Sequence, residues 1–107
     1  MTVAVIFVSR RAQSNSREYM QTAERMAELA AQQPGYVDMV TVHDATSGEG
    51  MTVSFFVDEA AAVAWKQHPE HLAAQRRGVE AFYDEYRIWV AEVTRDYAFA
   101  RDEAATR

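Results

Sequence analysis

Two stretches of this sequence are apolar on both faces of a β-strand, and that restricts the folds open to it more than any other feature. Side chains alternate along a strand, so Val3-Ala4-Val5-Ile6-Phe7-Val8 places Val3, Val5 and Phe7 on one face and Ala4, Ile6 and Val8 on the other. Late in the chain, Trp89, Ala91 and Val93 oppose Ile88 and Val90 in a segment expected to run as one long strand from Arg87 to Phe99. An antiparallel sheet with one wet face carries polar residues on that face. A sheet built on these two strands needs cover on both sides.

The segments between them supply cover for one side only. Asn15 followed three residues later by Glu18 matches a helix N-terminal capping pattern, and Tyr19, Ala23, Met26 and Ala30 then form a helical apolar stripe that Gln33-Pro34-Gly35 ends. Tyr36 to His43 reads as a second strand, Asp44 to Gly50 as a turn, and Met51, Val53, Phe55 and Val57 alternate with Thr52, Ser54 and Phe56 in a third strand. Asp58 is placed to cap a second helix from Glu59 to about Gln67. Pro69 interrupts it and suits the first turn of a new helix, which runs to Arg77 with Gly78 able to end it and a further helical turn within Val79 to Glu85. The order strand, helix, strand, strand, helix, strand is the split βαβ arrangement of an α+β, ferredoxin-like domain with a four-stranded antiparallel sheet. Residues 1–99 are expected to form that domain and residues 100–107 a frayed tail.

At 107 residues the chain has room for one core. The economical cover for the second apolar face is therefore another copy of the same sheet, and a homodimer is expected. A net charge of −5 and the lack of any basic run beyond the pairs Arg10-Arg11 and Arg76-Arg77 argue against nucleic acid as a partner. No apolar stretch approaches the roughly 20 residues that span a bilayer, so no membrane partner is expected. The absence of cysteine removes disulfides, thiolate metal sites and cysteine nucleophiles, and fits a reducing, cytoplasmic setting.

Several quoted runs carry a family resemblance over about Val3 to Phe99. They are Gln33-Pro34-Gly35-Tyr36; Val53-Ser54-Phe55-Phe56 followed by Asp58-Glu59-Ala60; Trp65-Lys66-Gln67-His68-Pro69-Glu70-His71 followed by Ala74-Gln75; and Phe82-Tyr83. Together they resemble the antibiotic biosynthesis monooxygenase-like family. The resemblance implies a dimeric α/β barrel to which each subunit contributes one sheet, a last strand reaching toward the partner, and a pocket between sheet and helices that Trp65 lines. It also brings haem-degrading members into view. Their haem-ligating histidine falls at the position of Gln75, and their asparagine has no match at Ser9 or within His43 to Thr46, which argues against haem degradation here.

Phosphate-binding loop, dinucleotide fingerprint and nucleophile elbow are all missing, so no cofactor is expected. The leading expectation is cofactor-independent, monooxygenase-like oxidation of a small aromatic or phenolic substrate. Trp65 orients the ring and His71 takes the phenolic proton, with Phe56, His68, Gln75, Tyr83 and Arg87 as substrate-binding residues. For each there is a structural alternative: Trp65 packs in the core, His68 caps the break at Pro69, His71 hydrogen-bonds backbone or partner, Tyr83 is buried and paired, and Arg87 faces solvent or a carboxylate. His68 and His71 lack a third ligand, and no metal site is expected. The other functional class is a non-catalytic or stress-related dimeric module that sequesters a small hydrophobic ligand.

Overall fold

The computed structural model describes residues 1–101; the end of the expected tail, residues 102–107, lies outside the described residues. Its elements are β1 (Val3–Arg11), α1 (Ser16–Ala31), β2 (Tyr36–His43), β3 (Glu49–Phe56), α2 (Glu59–Lys66), α3 (Pro69–Arg77), a π-helical turn (Gly78–Phe82) and β4 (Tyr83–Glu92). The strands form one antiparallel sheet in the order β2-β3-β1-β4. This is the expected ferredoxin-like α+β architecture, with the sheet open rather than closed into a barrel.

Strand register sorts the side chains into two sets. Val3, Val5, Phe7, Ser9 and Arg11 face the helices, beside Phe56, Ser54 and Thr52 of β3. Val3 and Phe56 join Leu29, Ala30, Ala62 and Trp65 in the core that α1 and α2 close over the sheet. On the opposite face Val40, Val53, Ile6 and Trp89 are register partners in one row across all four strands. Val42, Met51 and Val8 follow in the next row, and no element among the described residues lies over them. The alternation in β3 thus sends its more apolar set, Met51, Val53 and Phe55, to the uncovered face.

The last strand differs from the expected Arg87 to Phe99. It starts at Tyr83 and ends at Glu92 because its only strand partner among the described residues is β1, whose first residue Val3 pairs with Glu92; after Val93 N–H donates to Thr2 C=O, β1 offers nothing further. Beyond that point Tyr97 and Phe99 stand 85% and 74% exposed. Ile88 and Val90, on the helix side of β4, are also 45% and 56% exposed, since the helices do not extend over this edge.

Local chemistry sets the helix ends. Asp58 caps α2 by accepting from Ala61 N–H at 2.8 Å, and Pro69 opens α3 while His68 Nδ1 accepts from Glu70 N–H at 3.1 Å. At α1 the capping pattern is not realised: Asn15 adopts φ 61° and its side chain makes no cap. Glu18 is engaged elsewhere, accepting from Arg77 Nε and Nη2 at 2.6 and 2.8 Å. That pair, with Arg25 on Glu70, ties α3 to α1, and α3 itself has no buried residue. Gly78 does not end the helix but continues it as the π-helical turn, where the Tyr83 ring passes 3.0 Å from the site of a Cβ.

Gly35 adopts φ 83°, and a Cβ there would sit 2.7 Å from Ala61 Cβ and 2.9 Å from Val57 Cγ2. Its carbonyl accepts from Val57 N–H at 2.8 Å, so the turn cannot shift without breaking the entry to α2. Gly35→Ala is expected to lower stability by about 2 kcal/mol or more, of which the left-handed backbone alone accounts for about 1–2. A urea midpoint unchanged from wild type would contradict this.

Candidate functional site

The break between α2 and α3 gathers four of the expected site residues. Trp65, in the last turn of α2, is only 6% exposed and packs in the core with Phe56. The His71 ring stacks on its indole at 4.2 Å between centroids and 14° between planes, and the His68 ring lies 5.6 Å away. Gln75 donates from Nε2 to Lys66 C=O at 3.2 Å, closing the break from the α3 side.

The tautomer of His71 follows from its partner. Nδ1 lies 2.9 Å from Trp65 C=O, and a carbonyl only accepts, so Nδ1 carries the proton. In the neutral ring Nε2 is then an unprotonated acceptor. Partial burial is the main cause holding the imidazolium pKa below its ordinary 6.5; the hydrogen bond to Trp65 C=O opposes the shift, and His68 and Lys66 add to it. This ring is a neutral base at neutral pH, packed against an aromatic wall.

The remaining expected residues lie elsewhere. Arg87, on the open face of the sheet, places its guanidinium carbon 5.3 Å from the Trp89 ring centroid. With Val8, Arg10, Glu49, Glu85 and Trp89 it lines a cleft of about 340 Å³. Tyr83 belongs to an aromatic cluster on the helix side of the sheet near the C-terminal end of β1, where it pairs with Arg11, with Phe7 and Tyr19 at 5.2 and 6.0 Å between centroids. Burial is the largest cause pushing the Tyr83 phenol well above its ordinary value; Tyr19 adds to the rise, and Arg11 opposes it.

That cluster borders a second cleft of about 320 Å³, between the end of β1, the start of α1 and the β2–β3 turn, lined by Arg11, Ser16, Tyr19, Met20, His43 and Asp44 among others. The Arg11 guanidinium stacks 3.7 Å from the Tyr19 ring centroid, and its Nε and Nη2 are buried without a hydrogen-bond partner among the described residues. Unmet buried donors cost about 1–3 kcal/mol each, more on a charged group. None of Arg11, Tyr19 and His43 was singled out as a site residue from sequence. The signal was present, however: Arg11 continues the inward set Val3, Val5, Phe7, Ser9 once β1 is extended past Val8.

Among the described residues no three His, Asp or Glu side chains come together in a way that could hold a metal ion. No helix among them is long and apolar enough to cross a membrane.

Comparison with known proteins places this arrangement in a family. The chain is 42% identical over 96 residues to the uncharacterized protein YqjZ of Bacillus subtilis, covering 90% of this chain and 82% of that protein. Among solved structures it is similar to Rv0793 from Mycobacterium tuberculosis, with a TM-score of 0.80 and 14% identity over 92% of this chain and 100% of that one. It is also similar to SnoaB from Streptomyces nogalater, a cofactor-independent oxygenase, with a TM-score of 0.69 and 17% identity over 87% and 95% of the two chains. At these identities the structural likeness speaks for the fold. The antibiotic biosynthesis monooxygenase family profile matches residues 2–77, from before β1 through α3. This chain, with the runs around Gly35, Phe56 and Trp65 that first suggested the kinship, belongs to the antibiotic biosynthesis monooxygenase family.

Proposed function

We propose that the protein is a monooxygenase-like enzyme of this family that oxidises a small phenolic or polycyclic aromatic compound with dioxygen and no cofactor. The observation that carries the reading is the Trp65–His71 pair, a buried indole stacked on an imidazole whose Nδ1 is committed to Trp65 C=O. Nε2 of His71 removes the phenolic proton, and the resulting electron-rich anion donates an electron to dioxygen. One oxygen atom enters the ring at carbon, and the other leaves as water as the quinone forms. Trp65 orients the substrate ring, with Phe56 beneath it, while His68 and Gln75 hold the α2–α3 break in shape. SnoaB, a cofactor-independent oxygenase on the same fold, lends weight to chemistry of this class.

The working unit in this proposal is a homodimer. The row Val40–Val53–Ile6–Trp89 is an apolar surface of the kind that a second sheet covers. The chain from Val93 onward leaves the sheet with Tyr97 and Phe99 exposed. The radius of gyration of 15.4 Å, against about 13 Å for a compact domain of this length, fits an arm extended toward a partner.

Aerated anthrone-type substrates, followed by quinone absorbance, test the chemistry. His71→Gln is expected to lower the rate by about 100-fold or more, the usual worth of a general base. Because the base acts unprotonated and its pKa is lowered, the wild-type rate is expected to fall only below the ordinary histidine value of 6.5. Equal rates for wild type, His71→Gln and Trp65→Phe would remove both roles.

One observation favours a second reading, a non-catalytic binding module: the two clefts described above are lined by neither Trp65 nor His71. That reading predicts ligand-dependent thermal stabilisation without turnover.

A further inference from the structure

Trp65 and Phe82 are buried, and between them Gly78 is the only buried residue. Helix α3 lies in that span and adds no buried side chain to the core. Ion pairs fasten it at both ends: Arg25 of α1 donates to Glu70, and Arg77 donates to Glu18 of α1. All four side chains are between 40% and 50% exposed, so these are surface pairs, individually weak and screened by salt. Each arginine also has a carboxylate three residues on, Glu28 at 3.8 Å and Glu80 at 4.0 Å, so neither cation is stranded when the long-range pair opens.

Both ends of α3 can bend. On one side α2 stops at Lys66 and α3 restarts at Pro69, and on the other the α-helical bonding pattern gives way to the π-helical turn at Gly78. The contacts that cross the first break are polar or stacking ones: Gln75 on Lys66 C=O, His71 Nδ1 on Trp65 C=O, and the His71 ring on the indole.

That last contact decides what can reach Trp65. The imidazole lies 4.2 Å from the indole and 14° from parallel, the position a stacked aromatic ligand would take. Trp65 is 6% exposed, and it lines neither of the two clefts. A ligand ring meets the indole only when α3 moves and carries His71 with it.

We propose that α3 is a latched lid. Bending at the α2–α3 break and at the π-helical turn, it lifts His71 off Trp65 and frees the indole face for a planar aromatic ring; this structure is the closed state. The proposal rests on the ring-orienting role given to Trp65 above, whereas the lifting itself requires no turnover. When α3 closes again over a bound ring, His71 meets the ligand in place of the indole.

Native-state amide exchange of the full chain tests the lid, and NMR titration with 2-naphthylmethanol tests what it covers. The amides of Leu72 to Arg77 are expected to exchange together, through one opening about tenfold or more as populated as the opening that exposes Val5 and Ile6 of β1. Raising NaCl from about 0.05 M to about 0.5 M, or replacing both latches in an Arg25→Gln, Arg77→Gln variant, is expected to raise that exchange about threefold or more. A ligand that binds only the open state gains affinity in proportion to the open fraction, so the variant is expected to bind 2-naphthylmethanol more tightly than wild type by the same factor, with shifts centred on Trp65. Arg10→Gln, which removes a surface pair with Glu85 away from α3, is expected to change neither reading. Exchange of α3 only together with β1, exchange indifferent to salt, or equal affinity of variant and wild type would each overturn the proposal. If the variant does not fold, the salt dependence of wild-type exchange and the position of the shifts decide the matter. A chain that lifts α3 and binds the ring without turnover keeps the lid and loses the oxygenase; one that oxidises its substrate while α3 exchanges only with β1 does the reverse.

Discussion

Val53→Glu is expected to leave a folded monomer and to weaken self-association at least 100-fold. Val53 lies at the middle of the uncovered face, directly paired with Ile6 on one side and Val40 on the other. In the single chain a glutamate there remains in contact with water, so the substitution costs the protomer little. In a dimer whose two sheets meet on that face, the carboxylate is buried among Val40, Ile6 and Trp89 with no cation in its row. Burying an unpaired charge costs several kcal/mol, and each 1.4 kcal/mol is a factor of ten in affinity. A variant that sediments like wild type would place the subunit contact elsewhere.

Phe56→Ala is expected to cost about 3–5 kcal/mol, the usual range for a buried aromatic truncated to alanine. Phe56 is fully buried, meets Tyr36 edge-on at 6.1 Å, and touches the core that Val3, Leu29, Ala62 and Trp65 complete. Three elements close over it, so the cavity cannot collapse without moving α1 or α2. Against a typical net stability of 5–15 kcal/mol the loss is large, and a fall in Tm of about 15–30 °C follows for a domain of this size. Urea denaturation with an unchanged slope and a shifted midpoint would confirm that the native packing is what was lost. A shift below 1 kcal/mol would mean that the core is looser than described.

The same residue shows how far sequence reasoning reaches. Element order was legible because Pro34-Gly35, Asp58 and Pro69 punctuate the chain with stereochemistry that holds in any context. Which face of β3 turns inward was not: alternation alone favours Met51, Val53 and Phe55, whereas Thr52, Ser54 and Phe56 face the helices. Phe56 supplies the core contact, and the buried Ser54 is small enough to let the helices approach. The apolar set is left for the other side. The length of β4 is not legible because apolar residues continue to Phe99, while pairing is limited by where β1 begins. Asn15 and Glu18 have the spacing of a cap, yet Arg77, 59 residues away from Glu18, competes successfully for that carboxylate.

The candidate site was legible in part for the same reason. Trp65, His68, His71 and Gln75 are close in sequence across one helix break, so local geometry brings them together. Arg11, Tyr19, His43 and Tyr83 come from four elements, and only the fold assembles them. The apolar run ends at Val8 and is followed by the polar Ser9-Arg10-Arg11, so nothing in the sequence itself marks Arg11 as a strand residue. Extending the strand to its observed end turns it inward beneath α1.

The apolar row from Val40 to Trp89 is expected to be covered by the same row of a second chain. Sedimentation equilibrium of the wild-type protein at micromolar concentration tests it most directly. The expected result is a folded particle of twice the 12.1 kDa chain mass, with no monomer resolved. A well-folded species at 12.1 kDa under those conditions would contradict it.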